Sequence, residues 1–550
     1  MGARSGLVPT AWRAFGAEPT GRRIAGAGWV FVFGLLVGAA ASVYTVRNGT
    51  NLEYGDAMAH LTISRRIVDS HSPGLQQLGT VWLPLPHLLL LPLVMNLWLF
   101  STGVAASIVG TVCLAITATA VFRIMARIGI DAIGRLVGLA VLFTNLSLLY
   151  ASTTALTEPV LIAAMTACVA GLAGWATSSR RLSGGELAVF AGIPAAAGVL
   201  TRYEAWALVI SGSIFVAFVC LRRGDSIKRA AQLIASFAAV PAVAIAWWLA
   251  YNAAWYGNPL EFLQGEYSAA AFTEVFIDQG QLTTKGNFGL SLQVLSWAIL
   301  ETSGIVPLLL AGAGLCVMTV RWGINDKALV VWLLGTATAF LLFSLTTGQH
   351  IMVNDRSLPS GAYNNRYVLS AVPWIAVLAG YLLGQWRSLR AARAGVSVLI
   401  ALALTWQVTW WAAAAEDRMT IIQEGREVAR AAENTRDAAR WLAEAYDGGR
   451  ILLDESAGNE FAFQPLVGIR LTEYYNRSSG AIFDEVLADP SRHVRWVVMH
   501  REQLVSSSTK ASIDLVTEAL ADDPQFFARY ELVYAVDNVG IYRRTEGAAR

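Results

Sequence analysis

Residues 103–122 read GVAASIVGTVCLAITATAVF, a run of 20 positions without a charged side chain. An α-helix needs about 20 apolar residues to cross the hydrocarbon core of a bilayer. Similar runs occur on both sides of this one, at 24–46, 136–152, 159–177, 186–201, 205–221, 230–252, 294–320, 328–347, 367–386 and 394–412. The sequence therefore predicts a polytopic α-helical membrane protein with about eleven crossings, the first of them retained and not cleaved as a signal peptide.

The composition of the chain agrees with this prediction. Of the 550 residues, 55% are hydrophobic and 15% are charged, whereas soluble domains carry about 25% charged residues. The last 135 residues, Glu416 to Arg550, hold 23 acidic and 16 basic residues, and the first 415 hold 16 acidic and 25 basic ones. The net charge of +2 thus gives no indication of a nucleic-acid partner.

A shorter apolar stretch, LPLPHLLLLPLVMNLWL, occupies residues 83–99. Whether it crosses the membrane determines on which side all later loops lie. If it does not cross, 18 of the 25 basic residues before Glu416 lie on the N-terminal side, as the positive-inside rule requires. We therefore predict a re-entrant or interfacial helix at 83–99. The N-terminal tail 1–23 is then cytoplasmic, and a multi-pass domain at 24–412 lies in the plasma membrane.

This topology assigns the outer loops and the end of the chain to one side. The long outer loops are 47–102, 253–293 and 348–366, and residues 413–550 form an extracytoplasmic α/β domain. Its expected elements are an amphipathic helix at 420–446, strands at 451–455, 495–500, 531–536 and 539–544, and a helix near 511–521. The pair Asp537 and Asn538 predicts a hairpin turn. This domain either binds an acceptor or only covers the site in the membrane domain. Within it, Asp454 and Glu455 are expected to be exposed to solvent.

The first outer loop contains EYGDAMAH at 53–60. In a helix from Glu53 to Ser70, the side chains of Glu53, Asp56 and His60 would share one face. A carboxylate beside the bilayer can accept a proton from an attacking hydroxyl. The alternative is an acidic first turn that complements the helix dipole.

Further candidate residues lie at the outer ends of later spans. Glu158 precedes Pro159 in LTEPV, which suits either a helix terminus or a functional acid. Arg202 and Glu204, in LTRYEAW, form either a structural ion pair or a ligand site. The remaining candidates come from outer loops and are Lys285, His350, Asn365, Arg366 and Tyr367. Arg366 can bind phosphate through its planar guanidinium or extend to lipid headgroups.

Four motifs in this order resemble the GT-C class of membrane glycosyltransferases. They are EYGDAMAH in the first loop, VWLPLPHLLLLP at 81–92, LTEP at 156–159 and NNRYVLSAVP at 364–373. The resemblance covers roughly residues 24–412 and is greatest to the branch of protein O-mannosyltransferases and lipid A aminoarabinose transferases. It implies a sugar donor attached through phosphate to a polyprenyl lipid, and a glycan, lipid or protein acceptor on the outer face.

By the same resemblance, Asp56 is the general base, with Glu53 as the alternative. Glu158 orients the acceptor or holds the first loop, and Arg366 binds the lipid phosphate, so that the sugar is transferred with inversion. Some GT-C enzymes use a divalent cation such as Mg²⁺ or Mn²⁺, for which Asp56 and Glu158 would be the ligands, and this question stays open. The alternative to an enzyme is a transporter or flippase of lipid-linked sugars, whose charged residues would follow a path through the bundle.

Overall fold

The computed structural model describes residues 24–178, 183–265, 268, 277, 282–357, 361–384, 390–455, 462–502 and 513–545. The predicted tail 1–23 lies outside them. Eight helices in the described chain are long and apolar enough to cross a membrane: Ala27–Asn48, Val104–Arg127, Glu158–Ala176, Glu204–Arg222, Ile227–Tyr256, Ile305–Trp322, Asn365–Gly384 and Ala392–Ala412. The prediction of a helical protein with many apolar spans is therefore confirmed, whereas the number of eleven crossings is not.

Three predicted spans are interrupted in the structure. The span 136–152 is divided into Ala132–Phe143 and Leu146–Ala151, and the span 328–347 consists of Asp326–Leu334 and Thr336–Thr347, bent by 49°. The predicted single helix 294–320 is wrong, because Phe288–Ser303 and Ile305–Trp322 are separate helices. They meet at Gly304, whose φ of 81° is readily adopted only by glycine.

The proline-rich stretch at 83–99 forms two short helices, Leu85–Val94 and Leu97–Ser101. The ten residues of the first helix span about 15 Å, which is half of the hydrocarbon thickness. This length agrees with the predicted re-entrant or interfacial helix, and the sidedness of the chain stays a prediction. Further short helices described before residue 413 include Gly55–Arg66, Gly184–Val199 and Glu261–Gln264.

A five-stranded sheet lies near the end of the described chain, and four of its strands fall in the predicted runs. Its strands are β1 (Ile451–Leu452), β2 (Tyr474–Tyr475), β3 (Trp496–His500), β4 (Tyr530–Val536) and β5 (Val539–Arg544). Their order is β2-β1-β3-β5-β4, with β1 parallel to both neighbours and an antiparallel β4–β5 hairpin that turns at Asp537 and Asn538. Strand β2 was not predicted, because its two residues show no periodicity.

The helices after residue 413 in the described chain are short. They are Ala415–Arg418, Thr420–Ala431, Glu433–Ala445, Phe463–Val467, Ala481–Ala488, Pro490–His493, Leu515–Leu520 and Pro524–Arg529. The predicted helix 420–446 is thus two helices, and only part of the predicted helix at 511–521 lies in the described residues. Asp454 and Glu455 are buried, with exposed fractions of 0% and 3%, so the expectation that they are solvated is wrong.

The helix Thr420–Ala431, called here the tail helix, rests directly on the membrane part. Its Ile421 belongs to the same continuous apolar core as Tyr54 of the first loop. The hydroxyl of Tyr54 donates a hydrogen bond of 2.6 Å to the carbonyl of Ile421. The division at residue 412 into two domains stays a prediction, and the tail helix is one of several elements through which the parts before and after this residue contact each other.

Candidate functional site

Three acidic residues lie in the first turns of three helices that begin at the same place. Asp56 is in the first turn of Gly55–Arg66, called here the first-loop helix, Glu158 opens Glu158–Ala176, and Glu204 opens Glu204–Arg222. A negative charge is favourable at each of these positions, because the helix dipole is positive at the N-terminus. The helix dipole therefore accounts for the position of each acid within its own helix. The fold then brings the three acids together.

Arg366 joins two of these acids. It lies in the 3₁₀ helix Asn365–Ala371, which leads into the span that ends at Gly384. Its Nη2 forms an ion pair with Asp56, and its Nε lies 3.3 Å from Oε1 of Glu158. The side chain of Arg366 is 7% exposed and that of Asp56 is 41% exposed. The arginine is therefore held inside the protein, while the carboxylate of Asp56 reaches solvent.

Arg202 forms the second cationic centre. Its Nη1 lies 3.1 Å from the same Oε1 of Glu158, and its Nη2 lies 2.9 Å from Oε1 of Glu204. The aromatic ring of Tyr367 lies between the two arginines, 4.2 Å from the guanidinium carbon of Arg202 and 5.4 Å from that of Arg366. The predicted Arg202 to Glu204 contact is thus present, and Glu158 and Tyr367 connect it to Arg366.

A fourth carboxylate comes from the tail helix, and the sequence analysis missed it. Glu424 Oε1 lies 3.0 Å from Nη1 of Arg366, and it also accepts a 3.0 Å hydrogen bond from the backbone N–H of Asn364. The tail helix lies close enough because position 425 is glycine, where a Cβ would come within 2.9 Å of the Tyr150 hydroxyl. A signal was present: Glu424 stands three residues after Ile421 and four before Val428, on the apolar face of the helix.

Glu53 and His60 make no described hydrogen bond or ion pair with this group, and the predicted shared face is wrong for Glu53, whereas His60 lies four residues after Asp56 in the same helix. The first-loop helix begins at Gly55 and excludes Glu53, whose carboxylate accepts from the Tyr150 hydroxyl at 3.2 Å and pairs with Arg426 at 3.0 Å. His60 Nδ1 lies 2.9 Å from Nε2 of His87. Burial, together with the charges of Arg366 and Arg202, lowers the pKa of His60 to about 3. His60 is therefore neutral at physiological pH.

The remaining candidates support or border the site. The ring of His350 packs edge-on against Tyr367 at 5.5 Å. Asn365 is fully buried and donates a 2.7 Å hydrogen bond to the carbonyl of Val353, which fixes the loop before Arg366. Lys285 is exposed, and its aliphatic chain packs over Gly348. None of the described contacts of Lys285 is with the acids that surround Arg202 and Arg366.

Acidic charge exceeds basic charge in this group, called here the charge cluster: Asp56, Glu158, Glu204 and Glu424 with Arg202 and Arg366. The second oxygens of Glu158 and Glu424 are buried without a hydrogen-bond partner among the described residues. Burial raises the pKa of Glu424 to about 7, although the charge of Arg366 opposes the shift. The described residues contain no group of three or more His, Cys, Asp or Glu side chains arranged to hold a metal, and Arg366 bridges Asp56 and Glu158.

The charge cluster lies at one end of the helical bundle. Glu158–Ala176, Glu204–Arg222 and Asn365–Gly384 all have their first turns at the charge cluster, and each is long and apolar enough to cross a membrane. The buried charges are thus concentrated where three spans begin. By the predicted topology, this end is the outer one.

Comparison with known proteins gives a partial likeness to one membrane enzyme. Three solved structures of the oligosaccharyltransferase of the archaeon Archaeoglobus fulgidus are similar to the chain: the apo form, a form tethered to an acceptor peptide containing the NVT sequon, and a complex with an inhibitory peptide and a dolichol-phosphate. Their sequence identities are 12%, 12% and 10%, with TM-scores of 0.49, 0.46 and 0.48. The matches cover 86%, 94% and 96% of this chain, and 70%, 74% and 75% of the respective neighbours.

No protein-family model matches the chain, and no curated protein matches it. None of the three structures is a protein O-mannosyltransferase or an aminoarabinose transferase. Because the identities are low and the TM-scores lie below 0.5, we infer function from the geometry of the charge cluster.

Proposed function

We propose that this protein is a GT-C-like membrane glycosyltransferase that moves a sugar from a polyprenyl-phosphate-linked donor to an acceptor hydroxyl. The observation that carries the proposal is the position of Arg366, a buried guanidinium beside a partly exposed carboxylate at the beginning of a membrane span. A lipid-linked phosphate is delivered to this depth by its own hydrophobic chain. A buried arginine in contact with several acids offers planar, charge-assisted hydrogen bonds to such a group.

Asp56 is the group best placed to act as the general base. It is the most exposed acid of the charge cluster, and its contact with Arg366 places it next to the proposed phosphate position. In the proposed step, the acceptor oxygen forms a bond to the anomeric carbon and the bond from that carbon to the phosphate oxygen breaks. Asp56 takes the hydroxyl proton, and Arg366 stabilises the charge that develops on the leaving phosphate. A single displacement of this kind inverts the anomeric centre.

Glu158 and Arg202 act as positioning residues in this scheme. Oε1 of Glu158 contacts both guanidinium groups, so it fixes the distance between them. Glu204 and the ring of Tyr367 hold Arg202 in turn. The pair Arg202 and Glu204 therefore supports Arg366 and orients it, whereas Arg366 contacts the donor.

The position of the charge cluster favours an enzyme over a transporter. A transport path would place charged groups at several depths of the bundle, whereas these residues lie where three spans begin. In the proposed topology, the charge cluster lies at the outer face of the membrane. Residues 413–550 lie on the same side. The transferred sugar is a hexosyl or pentosyl group, and the acceptor is a glycan, a lipid or a protein.

Sugar transfer by the purified chain tests the proposal. The full protein is reconstituted in nanodiscs with polyprenyl-phosphate sugars and a lipid, peptide or glycan acceptor, and release of polyprenyl phosphate is measured with and without Mg²⁺ and Mn²⁺. We expect acceptor-dependent release that is lost in Asp56→Asn. Movement of intact lipid-linked sugar between leaflets, without cleavage of the sugar-phosphate bond, would support the flippase instead.

A further inference from the structure

The tail helix places the carboxylate of Glu424 against Arg366. Oε1 of Glu424 accepts hydrogen bonds from two donors, Nη1 of Arg366 and the backbone N–H of Asn364, each at 3.0 Å. Asn364 has a φ of 59°, a left-handed conformation that asparagine tolerates better than most residues. A guanidinium and a backbone N–H that converge on one oxygen also form a suitable site for a phosphate oxygen.

The charge balance does not allow a phosphate to be added to this arrangement. The charge cluster already has four carboxylates and two guanidinium groups. A phosphodiester would bring a further negative charge into a place where Arg366 is only 7% exposed and water screens charges weakly. At least one carboxylate must therefore lose its charge or leave Arg366 when the donor binds.

Of the two carboxylates in the charge cluster that have a buried oxygen without a partner among the described residues, Glu424 is the one that contacts a single arginine. Oε1 of Glu158 is shared by Arg366 and Arg202, and Asp56 reaches solvent. The second oxygen of Glu424 is buried with no hydrogen-bond partner among the described residues, and the residue is only 2% exposed. An unpartnered buried carboxylate oxygen is costly in its charged form.

We propose that Glu424 is an internal anion that occupies the donor-phosphate position on Arg366 and Asn364, and that donor binding neutralises Glu424 by uptake of one proton. This inference rests on the proposed function. The proton is taken from solvent and resides on the Glu424 carboxyl, so that one negative charge replaces another on Arg366. The tail helix thereby links the C-terminal part of the chain to the occupancy of the donor site.

Several titratable groups face Glu424 from the elements packed around it. Tyr54 and Asp56 belong to the first loop, Tyr150 to a short helix, Glu158 to the beginning of a span, and Tyr363 and Arg366 to the segment around the 3₁₀ helix. Burial raises the pKa of Tyr54 and of Tyr363 above their usual value near 10. Burial raises the pKa of Glu424 to about 7, against the effect of Arg366, so proton uptake by Glu424 falls in the physiological range.

Calorimetric binding of farnesyl methyl phosphate to the full chain in detergent tests this inference. A phosphomonoester would itself titrate near pH 6, whereas this phosphodiester keeps one fixed charge. If only neutral Glu424 permits binding, the wild-type Kd falls about tenfold from pH 8 to pH 6. At pH 8, about one proton is taken up per bound ligand, which is measured by repeating the titration in buffers of different ionisation enthalpy.

Glu424→Gln should bind the probe about tenfold more tightly than wild type at pH 8 and show no pH dependence, since it lacks the charge that must be neutralised. The matched control is Glu427→Gln, which removes an exposed carboxylate from the same helix and should bind as wild type does. Binding by Glu424→Gln that is no tighter than wild type at pH 8, or that keeps the pH dependence, overturns the inference. Proton uptake by the wild-type protein remains decisive if Glu424→Gln fails to fold.

Two further comparisons separate this inference from the proposed function. If Asp56→Asn, and not Glu424→Gln, tightens binding and abolishes the pH dependence, the displaced anion is Asp56 and the inference fails while the phosphate site stands. If wild-type protein binds farnesyl methyl phosphate no better than farnesol at pH 6, or if Arg366→Lys binds it as tightly as wild type, the phosphate site itself is wrong and both proposals fail.

Discussion

Two of the groups of buried acids and arginines in the described residues differ in how completely their atoms are paired. In the sheet region, both oxygens of Asp454 accept hydrogen bonds from Arg477 at 2.6–2.9 Å, and the backbone N–H of Leu515 adds another at 2.9 Å. In the charge cluster, Glu158 and Glu424 each have a buried oxygen without a partner among the described residues, and Asp56 reaches solvent.

The contrast separates a structural ion pair from a candidate site. A buried carboxylate that is fully hydrogen-bonded fixes the fold and has no capacity left for a ligand. Incomplete pairing and excess negative charge are costly, and a fold retains them where chemistry requires them. We therefore expect substitutions in the charge cluster to reduce sugar transfer, and substitutions at Asp454 to reduce stability.

Asp56→Asn is expected to have the largest effect on catalysis. The amide keeps the shape of the side chain but cannot accept the acceptor proton, so kcat should fall about 10²- to 10⁴-fold. Thermal unfolding should change little, because the Asp56 side chain is 41% exposed. Transfer assays and unfolding curves on the same preparation measure both quantities. A variant that retains more than a tenth of wild-type kcat would contradict the assignment of Asp56 as the base.

Glu53→Gln is the matched comparison for this prediction. Glu53 pairs with Arg426 and Tyr150, away from Arg366. Its loss should therefore reduce kcat by less than tenfold. If Glu53→Gln inactivates the enzyme while Asp56→Asn does not, the base is Glu53.

Arg366→Lys is expected to have the second largest effect on catalysis. Lysine keeps the positive charge but loses the planar guanidinium that reaches three carboxylates through three nitrogens. The value of kcat/KM should fall about 10²-fold, the typical cost of removing one donor from a developing negative charge. Steady-state kinetics at several donor concentrations measure this loss. Full activity in Arg366→Lys would show that Arg366 is an ordinary structural cation.

Asp454→Asn tests the structural side of the comparison. It leaves Arg477 without its buried counter-charge and should lower the free energy of unfolding by about 3 kcal/mol. Transfer per folded molecule should stay within about twofold of wild type, because Asp454 belongs to the sheet region and contacts no member of the charge cluster in the described structure. Chemical unfolding and an active-fraction measurement distinguish the two effects. Loss of transfer at unchanged stability would place Asp454 in a functional role.

Gly425→Ala should have the smallest effect. The new Cβ would lie 2.9 Å from the Tyr150 hydroxyl and 3.0 Å from Cε2 of Tyr54, so the tail helix must shift by a few tenths of an ångström. Overpacking of this kind costs about 1–3 kcal/mol, and transfer should fall a few-fold as Glu424 moves on Arg366. In the double variant with Tyr150→Phe, part of the stability should return. No coupling between the two substitutions would show that the helix does not press on this ring.

The sequence predicted the parts of this structure that follow from local patterns. Apolar runs located most of the spans, short β-like runs located four strands, and the pair Asp537 and Asn538 located the hairpin turn. The break at Gly304 was missed because the apolar residues on both sides of it form one long run, although Glu301, Thr302 and Ser303 interrupt that run just before the glycine.

Within the site, the predicted topology and the GT-C-like motifs placed Asp56, Glu158, Arg202, Glu204 and Arg366 among the candidates. It failed for Glu424, whose partner Arg366 is 58 residues away along the chain, because pairing across that distance depends on tertiary packing. It also failed for Glu53, because the first-loop helix begins two residues after it, and helix boundaries are less certain than helix positions.

A density map of the full chain with bound polyprenyl phosphate tests the central claim most directly. We predict that the phosphate lies within hydrogen-bonding distance of Arg366 and of the Asn364 backbone N–H, with Asp56 beside it and Glu424 no longer in contact with Nη1 of Arg366. A phosphate bound away from Arg366, with the contacts of Asp56, Glu158 and Glu424 unchanged, would contradict the account.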